Sequence, residues 1–128
     1  MEAKNIEWIG GQHEFVLNIG QLRALQKNCN AGPEVILLRI TTGTWFIDDL
    51  IETIRQGLIG AGMPNKEAGP MVLHLFELHG VLEFKPVAIE ILTNALVGED
   101  DDPVGEQAGV RQQENSGSSP SFTNEEPQ

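Results

Sequence analysis

The chain has one cysteine, Cys29, no tyrosine and only 5% aromatic residues, and its 8 basic residues face 19 acidic ones. Each scarcity excludes something. One cysteine closes no intramolecular disulfide, so a reducing cytoplasm is the expected setting and a small buried apolar role the expected use of Cys29. A formal net charge of −11 argues against a nucleic-acid binder, because affinity for a phosphate backbone needs clustered Lys and Arg. No apolar run approaches the roughly 18 residues of a membrane-spanning helix. The start, MEAKNIEWIGG, has no basic region leading into an apolar run, so neither a signal peptide nor a membrane partner is expected.

Catalytic and cofactor patterns are equally sparse. GLIGAG at Gly57–Gly62 has the wrong spacing for a dinucleotide loop and falls at the end of an expected helix, whereas phosphate binds at helix starts, where backbone donors point outward. Its expected role is a helix stop with close packing. His74 and His79 in HLFELH lie five apart, which turns them about 140° from each other on a helix, so they do not form the two-histidine zinc face. His79 is expected half-buried and His74 solvated. The acids Glu99–Asp102 lack the alternate spacing and closing glutamate of a calcium loop. With no nucleophile in a recognisable setting, the expectation is a non-enzymatic protein with no cofactor and no metal.

What is present is a set of periodic apolar stretches. GTWFIDDLIETIRQGLIGAG, Gly43–Gly62, places Ile47, Leu50, Ile51, Ile54 and Leu58 on one helical face and Asp48, Asp49, Glu52, Arg55 and Gln56 on the other. Asp48 and Asp49 suit the positive end of the helix dipole, and Gly60 and Gly62 supply left-handed stops. Before it, IEWI and HEFVL within Ile6–Leu17 alternate as a β-hairpin turning at Gly10–Gly11, with Trp8, Phe15 and Leu17 as inner-face candidates. Asn18 caps an expected helix over Ile19–Cys29 that ends at Asn30–Ala31–Gly32. Pro33 opens PEVILLRITTG, expected as a helix although its β-branched residues also suit a strand.

Farther on, Pro70 predicts that regular helix begins only near Gly69, with Met71, Leu75, Leu78 and Leu82 on one face and Val72, Phe76 and His79 beside them. Pro86 opens a last helix with a stripe of Ala88, Ile91, Leu92, Ala95 and Leu96, closed by Gly98. From Glu99 the chain carries eight acids against Arg111 alone, a charge of −7 that leaves −4 for residues 1–98. The expected organisation is one domain over 1–98 and a disordered acidic tail over 99–128. The fold class is α+β and mostly helical: an N-terminal β-hairpin packed on four to five helices.

The order hairpin, helix, WFIDDLIETIRQGLIGAG, with EFVLNIGQLRALQ before it and ALVG at the close, resembles a family of small proteins from gene transfer agents and related prophages. That family is described both as tail tube protein and as tail assembly chaperone, and the similarity spans roughly residues 5–98. The resemblance implies a role in building a phage-like tail in the bacterial host cytoplasm. The chaperone form of it implies a protein that binds the tape-measure protein, and in some settings the tail tube protein, and is absent from the mature particle. The alternative is a structural tube or tube-associated component. Tape-measure helices are recognised through apolar anchors, and Trp45, Phe46, Met71, Leu75 and Phe76 are the partner-binding candidates, with Met63 and Met71 lending adaptability. The competing reading of all five is simple core, and it is the favoured one for Leu75 and Phe76. An uncovered hairpin edge also allows self-association.

Overall fold

A computed structural model describes residues 1–98, so the expectation of a disordered tail over Glu99–Gln128 lies outside the described residues. A compact unit spans Met1–Leu96. The hairpin comprises β1 (Lys4–Trp8) and β2 (Gly11–Phe15), and the helices are α1 (Ile19–Cys29), α2 (Pro33–Thr42), α3 (Ile47–Gly60), α4 (Asn65–Leu78) and α5 (Lys85–Val97). A short 3-10 turn, Val81–Phe84, precedes α5. The α+β, mostly helical class read from the sequence is the observed one.

The hairpin is antiparallel, with Ile6 opposite His13 and Trp8 opposite Gly11. The turn residues are therefore Ile9 and Gly10, one position earlier than expected. Gly11 carries the positive φ of 112°, whereas Gly10 is kept small by its surroundings: a Cβ there would lie 2.6 Å from the Trp8 ring and 2.8 Å from Leu75. Ile6 and Phe15 are buried on the inner face. Trp8 is half-buried, with its ring edge-on to Phe15 at 5.6 Å and to Phe84 at 6.4 Å. Its indole N–H, which needs a partner once shielded, donates to His13 Nδ1 at 2.9 Å.

The central element is α3, which meets α1, α2, α4 and β2. Its central place corrects the two-faced reading. Leu50, Ile54 and Leu58 are buried as expected, but Asp49, Thr53, Gln56 and Gly57 are buried too, while Ile47 is exposed and Ile51 only half-buried. A helix packed on several sides buries polar positions as well, provided their hydrogen bonds are met. Thr53 meets its own by donating to the Asp49 carbonyl at 2.7 Å.

The glycines of α3 do more than stop it. Gly62 has the left-handed φ of 116°, but Gly60 is helical, and a Cβ on it would overlap the carbonyl oxygen of Val16. A Cβ on Gly57 would stand 3.1 Å from Phe15 and 3.3 Å from Ile91. The smooth edge left by these two residues lets the chain leaving β2 dock backbone to backbone. Val16 N–H donates to the Gly57 carbonyl at 3.0 Å, and the Asn18 side-chain amide donates to the Gly60 carbonyl at 3.4 Å. The Gly60 carbonyl, which the helix end leaves without a partner, is thereby satisfied, while the Gly57 carbonyl accepts the Ala61 N–H at 3.2 Å as well as that of Val16. Asn18 occupies the expected cap of α1, and Gln21 reaches back to accept its N–H at 3.2 Å.

Three further expectations are corrected. Helix α4 begins at Asn65, not near Gly69, and holds Pro70 in its second turn. The proline removes a donor and leaves the Lys66 carbonyl four residues back without it, but both residues are exposed, a setting in which solvent can replace the lost bond. The same helix ends at Leu78, with His79 extended, so Leu82 belongs to the 3-10 turn and Leu78 and Leu82 are exposed instead of lining a shared apolar face. In α5, Ala88, Ile91 and Leu92 are buried as read, but Val87 and Asn94 join them, Ala95 is half-buried and Leu96 is exposed. His79 is half-buried and His74 exposed, as expected.

Gly60→Ala is expected to lower the stability to urea by about 3 kcal/mol, because a carbonyl of fixed backbone has to move. Gly20→Ala, where nothing stands within 4 Å, should leave the midpoint unchanged or slightly raised.

Candidate functional site

The large apolar residues left in solvent include Val35 and Leu38 on α2 with Phe46 and Ile47 after it, and a second group, Leu73, Leu78 and Leu82, on and after α4; of these, Val35 and Leu38 line a depression in the surface. PEVILLRITT is apolar around most of its circumference, yet only Ile36 and Ile40 are buried. A ten-residue helix lying against one side of a body covers one stripe, so the opposite apolar positions stand out. Val35 is 48% exposed and Leu38 59%, and together with Glu34, Leu37 and Thr41 they line a shallow apolar depression. Beyond the Gly43 stop, Phe46 is 67% exposed. Covering one such large side chain contributes roughly 1.5–3 kcal/mol to an association.

Behind this strip lies a charged junction that fixes its geometry. The Arg39 guanidinium donates to Asp49 Oδ1 at 3.2 Å and to the Cys29 carbonyl at 3.4 Å, and it sits 5.3 Å over the Phe46 ring. It thus joins the negative C-terminal end of α1 to the first turn of α3. Asp49, 1% exposed, also accepts the Phe46 N–H through Oδ2 at 2.8 Å, so one carboxylate caps α3 and holds the cation. On the neighbouring flank, burial works to raise the Glu52 pKa, but hydrogen bonds from Arg55 and Asn28 outweigh it and hold the carboxyl below its usual range.

Cys29 belongs to the same junction. Its thiol donates to the Asp48 carbonyl at 3.5 Å, and burial first, then the Asp49 carboxylate, pushes its pKa up to about 12. The thiol is thus held protonated and inert, as a small buried group.

The partner-binding candidates from the sequence divide into two places. Phe46 is exposed beside α2, with Trp45 half-buried against the core next to it. Met71, Leu75 and Phe76 are half-buried against the core on α4, where Phe76 stacks on Phe84 at 3.8 Å and Leu75 faces the hairpin turn. Among the described residues no aromatic contact links the two places. Met63 lines a separate, more polar depression with His13 and Glu67. Sequence reasoning missed Val35 and Leu38, although a ten-residue helix with five apolar residues in Val35–Ile40 carries more apolar surface than one stripe can cover.

Residues 3–98, the whole of the described fold apart from its first two residues, match the family described as phage tail tube protein, GTA-gp10. The chain belongs to that family. No curated protein and no solved structure matches it. Membership makes it a tail-related protein of the phage and gene transfer agent type. Among the described residues no helix is long and apolar enough to cross a membrane.

Asp49→Ala in this tail protein should cost about 3 kcal/mol in urea unfolding, since it strands the Arg39 charge and the Phe46 N–H together. The exposed Asp48→Ala should cost less than about 1 kcal/mol. Because burial raises the Cys29 pKa and encloses the thiol, Ellman's reagent at pH 8 should label the native chain far more slowly than the chain in denaturant.

Proposed function

We propose that this tail protein is a non-catalytic tail assembly chaperone. It binds the tape-measure protein in the bacterial host cytoplasm while the tube is built, and leaves before the particle is complete. The observation that carries this reading is the contrast between the body and its surface. The described fold is helical with a single two-stranded hairpin, and it exposes large apolar side chains along α2 and at Phe46. A tube wall is built from extended β-structure shared between neighbours, whereas a chaperone needs an exposed apolar face to cover that of its client.

The second reading is a tube or tube-associated component, favoured by the family's own description as a tail tube protein. The hairpin edge is where such a subunit would add strands from another copy.

Co-expression with the tape-measure protein separates these. A chaperone yields a soluble complex and is missing from purified particles by mass spectrometry. Insoluble client with and without this chain, or stoichiometric presence in finished particles, would overturn the chaperone reading.

A further inference from the structure

We propose that the outer face of α2 together with Phe46 is a docking strip for one class of ligand: an apolar helical segment of another polypeptide, flanked by lysine or arginine. This deepens the assembly reading and rests on it, adding the surface and the chemistry of what it holds.

The shape comes first. Val35, Leu38 and Thr42 follow one another at i, i+3 and i+7 along the exposed side of α2, the kind of ridge that seats in the groove of a second helix. From Glu34 to Thr42 the strip runs about 12 Å at 1.5 Å per residue, or roughly two turns of a partner helix. Its threonines are less polar than their names suggest. Thr41 and Thr42 both donate their hydroxyls to the Leu38 carbonyl, at 3.2 and 2.7 Å, so their hydrogen-bonding is directed back into α2. Phe46 stands beside Arg39 at the far end and is held there by the cation over its ring and by its own N–H on Asp49.

Charge supplies the selectivity. Glu34 lines the strip at its start and the exposed Asp48 follows Phe46 at its end. Arg39, the one cation of α2, is engaged by Asp49 and by the Cys29 carbonyl, so its charge is compensated from within. An apolar centre with an acid at each end favours a client with basic flanks and disfavours an acidic one, and the charge of −4 on residues 1–98 acts in the same direction.

The test uses the full isotopically labelled chain and two synthetic helical peptides of about 18 residues, identical in their leucine pattern and differing only in lysine or glutamate flanks. The lysine-flanked peptide should shift the amides of residues 34–46 and bind at least about tenfold tighter than the other. Leu38→Ser, at an exposed position, should weaken that binding about tenfold with no change in the urea midpoint, and Leu78→Ser should leave it unaltered. Equal affinity for both peptides, binding to neither, or shifts centred on Leu78 and Leu82 would overturn the proposal. So would shifts of the strip that depend on protein concentration alone, which would assign it to a second copy of this chain. A soluble tape-measure complex that persists in Leu38→Ser removes the strip and leaves the chaperone reading; peptide binding without any such complex does the reverse.

Discussion

Val16 donates its N–H to the Gly57 carbonyl and sets its own carbonyl where residue 60 has no side chain, so the end of a strand meets the end of a helix backbone to backbone. A lone two-stranded hairpin is marginal in water, and this docking gives it a support that side-chain packing alone would set farther off. Phe15, Val16 and Leu17 are all buried in consequence, and Phe15 and Ile91 close over Gly57 from either side. The hairpin, α3 and α5 thus share one contact region.

The opposite end of α3 is organised by charge. Arg39 connects α1, α2 and α3 through one guanidinium, and Asp49 answers it while capping its own helix. A pair of this kind contributes modest net stability but makes every misaligned arrangement costly, because it would leave a buried charge alone. That places Phe46 and the exposed side of α2 in a fixed relation, which a docking surface needs if binding is not to be offset by ordering entropy. Cys29, protonated and enclosed beside this junction, is a packing residue.

Membership of the phage tail protein family sets the setting in which such a surface works. The described body exposes Val35, Leu38 and Phe46, and the chain carries a strongly negative charge, the two features on which the proposed docking of a basic, apolar partner rests.

Helix existence, the hairpin and several helix ends were legible in the sequence, because they depend on local chemistry: the apolar periods, Asn18 and Pro33 as starts, and Asn30–Ala31–Gly32 as a stop. Pro70 misled, since its cost depends on whether the carbonyl it orphans is wet, and that is a property of the fold. The sequence by itself also carried the family, through the run around RQGLIGAG, and the acid excess that disfavours nucleic acid. Only the tertiary structure decided which apolar side chains are core and which are surface. Periodicity places residues on a common face but does not say how many neighbours surround the helix: α3 has neighbours on several sides and buries Asp49, while α2 has them on one and leaves Leu38 in water.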